Sequence, residues 1–303
     1  MRAPQTMEIQ MRSRATAGGA LLMLAAGAVP ASARQGTDIY VGGLSTQNSR
    51  LAVTAFRNAT DRDGYDNQPS FTTDGAFLLY TSGMPDGQTD IFRYDFSSGQ
   101  ISRVTDTPES EYSPTIMPGD ESFSVIRVEA DSAQRLWSFD LQGGHPAVVL
   151  EDVMPVGYHA WGNDRLLALF VLGSPPTLQL ADARTGRTDV MAEGIGRSIH
   201  RIPGQLAISF VHKVGEDEWW INRLDLRTQR ITQLVQTLPG VEDYAWTPQG
   251  IAVMGRGSVL FQWDTRAAAW REVADLSDQG IVDISRIAIS PAGDRIAVVG
   301  NRM

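Results

Sequence analysis

The stretch Gln68-Pro-Ser-Phe-Thr-Thr-Asp-Gly-Ala-Phe-Leu-Leu-Tyr-Thr-Ser82, continued by Thr89-Asp-Ile-Phe-Arg-Tyr-Asp95 and Gly99-Gln-Ile-Ser-Arg-Val-Thr105, holds four short apolar or alternating runs parted by turn residues. Runs of this length bounded by Gly, Pro and Asp read as strands, here over 69–72, 76–81, 90–94 and 100–104. A unit of four such strands cannot bury both faces of its own sheet, so it calls for neighbours built the same way.

Those neighbours are present. A turn pair followed by an apolar strand occurs at Asp74-Gly75, Gly119-Asp120, Asn163-Asp164, Pro203-Gly204, Gln249-Gly250 and Ala292-Gly293, at intervals of 45, 44, 40, 46 and 43 residues. A second landmark keeps step with it: strands end in Asp95, Asp140, Asp182, Asp225 and Asp264. An Asp at that place accepts N–H groups of the following turn, so these carboxylates read as turn caps and not as chemistry. A period of this length with four strands marks a propeller blade. The expected fold is all-β, a six-bladed β-propeller of four-stranded blades forming one domain over 34–303. The blades are expected near 58–107, 108–152, 153–193, 194–238 and 239–278, with the sixth made of 279–303 plus 37–57. After Gly293 only one further strand remains, and the runs at 38–44 and 51–56 supply the missing outer pair. The ring is thus expected to close by pairing its own termini, which removes exposed sheet edges.

Ahead of the domain, Arg12 and Arg14 precede an apolar run to Val29, with Pro30 and the small residues Ala31 and Ala33 after it. This is the pattern of an export signal, residues 1–33, and the apolar run falls short of the ~20 residues a spanning helix needs. A periplasmic or secreted protein with no membrane span is expected. The whole chain carries 26 Lys plus Arg against 35 Asp plus Glu, a formal charge of −9. Removal of 1–33 takes away Arg2, Arg12, Arg14 and Glu8, leaving 23 basic against 34 acidic residues and a charge of −11. Such a chain is a poor nucleic-acid binder, because phosphate recognition needs clustered cations. The absence of Cys excludes thiol catalysis, Cys-ligated metals and disulfides. The sequence also lacks a Gly-x-Ser-x-Gly elbow, a His-Glu-x-x-His pair, a phosphate loop and a dinucleotide fingerprint.

The segment from Gln68 to Thr105 resembles a repeat of the TolB-type propellers, whose WD-like units run close to Pro-x-(Phe/Trp)-Ser-Pro-Asp-Gly, then Ile-Tyr-x-x-Asp, then Leu-Thr. Ser290-Pro-Ala-Gly293 and Trp246-Thr-Pro-Gln-Gly250 follow the pattern well, and Trp161-Gly-Asn-Asp164 and Arg201-Ile-Pro-Gly204 more loosely. The resemblance covers nearly all of the chain after residue 33. With no catalytic motif present, the expected function is that of a non-enzymatic module in the cell envelope, a monomer that binds a protein, a peptide or a small ligand without a cofactor.

The candidate site is the mouth of the central channel, where the chain enters the innermost strand of each unit. Asp66, Asn67, Glu111, Tyr112, Tyr158, His159, Arg197, His200, Glu242, Asp243 and Arg286 stand there, a polar or ionisable group from every unit. Convergence of a few polar groups in a concavity is how small-ligand sites are built. His159 and His200 are expected at equivalent places in adjacent units, and Arg197 and Arg286 are expected to face Glu242 or Asp243. The alternative is a metal-dependent hydrolase or lactonase, as similar six-bladed propellers can be. Calcium or zinc in the channel would then be held by His159 and His200 plus one carboxylate, or by Asp66, Asn67, Glu111 and Glu242, against the like charge of the two arginines.

Overall fold

The computed structural model describes residues 36–302; the expected export signal lies outside them. The first strands are β1 (Asp38–Gln47), β2 (Arg50–Val53) and β3 (Arg57–Asn58). Four-stranded antiparallel blades then follow in chain order. Blade 1 holds β4 (Asp66–Phe71), β5 (Phe77–Gly83), β6 (Thr89–Asp95) and β7 (Ile101–Arg103). Blade 2 holds β8 (Ser110–Ile116), β9 (Ser122–Val128), β10 (Gln134–Asp140) and β11 (Ala147–Val148). Blade 3 holds β12 (Val156–Trp161), β13 (Leu166–Val171), β14 (Thr177–Asp182) and β15 (Thr188–Glu193). Blade 4 holds β16 (Ile195–Arg201), β17 (Ala207–Lys213), β18 (Trp219–Asp225) and β19 (Ile231–Gln236). Blade 5 holds β20 (Tyr244–Trp246), β21 (Ala252–Arg256), β22 (Val259–Asp264) and β23 (Ala269–Asp275).

The sixth blade joins both ends of the chain. Its inner strands are β24 (Ile281–Ile289) and β25 (Arg295–Arg302), and β1 pairs with β25 from Asp38↔Gly300 to Gly43↔Arg295. The outer edge of β1 is shared, with β2 along Leu44–Gln47 and β3 at Tyr40 and Val41. The closure expected from the sequence is therefore the one found, except that the outermost strand is broken in two around Phe56.

Six apolar clusters hold the ring, one at each interface between blades. Alternation along a strand is what feeds two of them at once. Ile39 and Val41 pack toward blade 1 with Leu78 and Tyr80, whereas Tyr40 and Leu44 pack toward blade 5 with Val253 and Leu260. Leu79, between Leu78 and Tyr80, joins Phe123, Val125 and Phe139 of blade 2. Both faces of every blade are thus covered, which is why the runs read as nearly continuous apolar strands. Among the described residues no helix is long and apolar enough to cross a membrane.

Candidate functional site

The innermost strands carry irregular register in five of the six blades: between Asn67 and Ser70, Tyr112 and Thr115, Val156 and Tyr158, Ile195 and Ile199, and Val282 and Arg286. These bulges bend the strand where it meets the channel. At three of them a residue other than glycine takes the left-handed conformation, Gln68 at φ 57, Ser113 at φ 55 and Asp283 at φ 52. One side chain of each blade stands at the same level, at the bulge in every blade but the fifth, where Asp243 directly precedes the regularly paired β20: Gln68, Ser113, Tyr158, Ser198, Asp243 and Arg286, all of which line one central cavity of about 690 Å³.

Those six groups form the floor. Arg286 Nη1 donates to Asp243 Oδ1 at 3.3 Å, and Nη2 donates to the Tyr158 hydroxyl at 3.0 Å. Arg286 belongs to blade 6 and Tyr158 to blade 3, opposite in the ring, so this contact spans the channel like a bar. Asp243 also accepts from Ser198 Oγ at 3.3 Å and from the Ile287 N–H at 2.8 Å. Burial pushes the Asp243 carboxyl up to about 6, with Arg286 pulling the other way. Ser198 Oγ lies 3.0 Å from His200 Nε2, and the His200 ring meets Tyr244 edge-on at 4.7 Å. Burial, with the nearby Arg286 charge, pushes His200 down to about 4, so it is neutral. From the floor the cavity runs past Trp161, Trp246 and Ile289 to the turns after the innermost strands, where Thr73, Asp120, Pro203 and Pro291 line it. It therefore opens on the face opposite to the loops that enter those strands, which is not the mouth the sequence pointed to.

Of the sequence candidates, Tyr158, His159, Arg197, His200, Asp243 and Arg286 line the cavity. Asp66, Asn67, Glu111, Tyr112 and Glu242 do not line it, each being engaged with neighbouring groups instead. Asp66 is fully buried and accepts from Arg62 Nη2 at 2.8 Å and Ser82 Oγ at 2.6 Å. Asn67 accepts the N–H of Gln68 and so shapes the bulge. Glu111 is fully buried between Thr105, Thr107 and Arg127, and burial pushes it up to about 7. Tyr112 packs against the cluster between blades 2 and 3. Glu242 is paired with Arg197 at 2.5 Å and Lys213 at 2.7 Å; burial raises it, but the two cations outweigh that and hold it near 2.

The two histidines are not equivalent. His159 pairs with Leu169 and His200 with Ser209, one position apart in the blade frame. His159 instead matches Tyr244 of blade 5. Trp161 Nε1 donates to Ser124 Oγ at 2.9 Å while His159 Nε2 lies 2.7 Å from the same oxygen. Tyr244 Oη and Trp246 Nε1 each donate to Ser209 Oγ at 2.8 Å. The same Ser lock thus ties blade 2 to 3 and blade 4 to 5. Burial pushes His159 down to about 3.

The sequence reading passed over Gln68, Ser113 and Ser198. A usable signal was there: each floor residue lies six or seven positions before the second member of its blade's turn pair. Among the described residues no group of three or more His, Asp or Glu is arranged to hold a metal ion.

No protein-family model and no curated protein matches the sequence. Among solved structures the chain is similar to a protein of Agrobacterium tumefaciens assigned to TolB, at 14% identity over 87% of this chain and 98% of that one, with a TM-score of 0.68. It is similar also to TolB from Acinetobacter baumannii, at 13% identity over 88% of this chain and 64% of that one, TM-score 0.56. A third is an oligogalacturonate lyase from Vibrio parahaemolyticus, at 12% identity over 88% and 98%, TM-score 0.52. At such identities the likeness is one of fold, and that fold is the TolB-like six-bladed propeller.

Proposed function

We propose that this propeller, with its TolB-like fold, is an exported, non-enzymatic binding module of the cell envelope that takes a segment of a partner protein, a peptide or a small ligand into its central cavity. The observation that carries the reading is the cavity: apolar walls, an open mouth among turns of several blades, and a floor of convergent polar groups. Ser70 lines it from blade 1 and is bonded to no side chain, so Ser70→Trp fills the space without removing an interaction. Capture from an envelope extract by the parent and by Ser70→Trp, with melting temperatures measured alongside, is the test. Partners retained by the parent and lost by the filled variant support the reading; equal capture sinks it. Export predicts a mature chain beginning at Arg34, which the mass of the protein recovered from the periplasm or medium checks.

The resemblance to an oligogalacturonate lyase is the reason to test the enzymatic alternative. Arg286 at the floor opposes a cation there. Titration calorimetry with zinc and calcium on chelator-treated protein discriminates: saturable heat with a raised melting temperature would favour a metal-dependent enzyme, and no heat would favour the binding module.

A further inference from the structure

The hydrogen-bonding capacity of the cavity floor is lopsided. Asp243 is its only carboxylate, and both oxygens are engaged, Oδ1 by Arg286 and Ser198 and Oδ2 by the Ile287 N–H. Donors, in contrast, are left over. Arg286 uses three of its five N–H groups, on Asp243, the Ser285 carbonyl and Tyr158. Gln68 Oε1 accepts from the Ser113 N–H at 2.9 Å and from Thr81 Oγ1 at 2.9 Å. A backbone N–H can only donate, so this fixes the amide's orientation and leaves its NH₂ group unspent. Ser113 Oγ and His159 Nδ1 are buried with no partner. Neither atom is reached by solvent, so the donors a ligand can meet are those of Arg286 and Gln68, which a ligand rich in acceptors suits.

We propose that the floor binds a carboxylate group, received by Arg286 with the Gln68 amide. A carboxylate supplies acceptor sites only, and a guanidinium with two free N–H groups suits its geometry. The inference rests on the reading of the cavity as a binding site. The group has two sources, a small organic acid or the terminus of a peptide, and both fit a space of about 690 Å³.

The decisive variant is Gln68→Glu. It keeps an acceptor for the Ser113 N–H and Thr81 but turns the free donor into a second negative charge. Ser113→Ala, which removes a hydroxyl that has no partner and is closed off from the cavity, is the control. Calorimetry uses succinate against succinamide, and a short peptide with a free against an amidated C-terminus. The acid of at least one pair is expected to bind about tenfold or more tighter than its amide, with binding unchanged in Ser113→Ala and lost in Gln68→Glu at unchanged melting temperatures. Which pair responds identifies the source. Equal binding of acid and amide overturns the carboxylate while leaving the cavity a binding site. Absence of binding by all four probes, with capture that still differs between parent and Ser70→Trp, does the same. If capture is also equal, both readings fall.

Discussion

His159 shows how far one buried side chain can shift the behaviour of the protein. Its folded pKa lies near 3 and its unfolded one near 6.5, so the unfolded chain takes up a proton first as pH falls. The stability this residue contributes is full above about pH 6.5 and drains away down to about pH 3. Between pH 7 and pH 5 the loss comes to about 2 kcal/mol. Glu111 and Asp243 act in the opposite sense, since burial raises their folded values and favours the folded state as they protonate. The informative measurement is therefore the difference between parent and His159→Leu in urea unfolding at the two pH values. The variant is expected to lose about 2 kcal/mol less on acidification; an unchanged difference would place the ionised ring in the folded state. Gly143 makes a second residue-scale case. Its φ is 83, and a Cβ there would lie 1.9 Å from the Val104 carbonyl oxygen. Gly143→Ala is expected to cost about 2 kcal/mol or more, read from the denaturation midpoint.

At the scale of elements, the inner strand does two jobs. Its regular half joins the interface clusters, and in five of the six blades its bulge delivers a polar group to the channel. The sequence made the regular half plain in blade 1, where 69–72 reads as strand ahead of its turn pair and overlaps the end of β4. The bulge was not legible: Asp66, Glu111 and Glu242 are as polar as Gln68, Ser113 and Asp243, and only the register separates groups that turn into the blades from groups that face the cavity. In a strand a slip of one position moves a side chain to the other face. That is also why His159 and His200, alike in the sequence, part company in the fold. The Ser locks are a second element-scale device. Ser209→Ala leaves the fully buried Tyr244 hydroxyl and the Trp246 N–H without their acceptor. It is expected to cost about 2 kcal/mol or more, whereas replacing an exposed serine such as Ser98 should change stability little. Equal effects of the two would show that the lock contributes nothing.

For the whole molecule, closure is the controlling feature. Blade 6 exists only because β1 docks on β25, and through it blades 5 and 1 are covered on their outer faces. Removal of 281–303 takes away β24 and β25, strips β1 of its partner and exposes apolar faces on both sides of the gap. Loss of the single cooperative unfolding transition is the expected result in calorimetry; a truncated protein that melts like the parent would refute the role given to closure.

The amino-acid sequence by itself determined the number of blades, the strands in each and the joining of the two ends. Those follow from local patterning: turn residues at a fixed period and apolar runs of strand length. It also placed oppositely charged partners near one another, and Arg197 with Glu242 and Arg286 with Asp243 are the pairs that form. Only the tertiary structure decided which side of the ring opens, that Arg286 reaches across to Tyr158, and that donors outnumber acceptors on the floor. These depend on groups 43 to 128 positions apart meeting at one point. Where such side chains point is set by bulges and ring closure, and no local pattern encodes it.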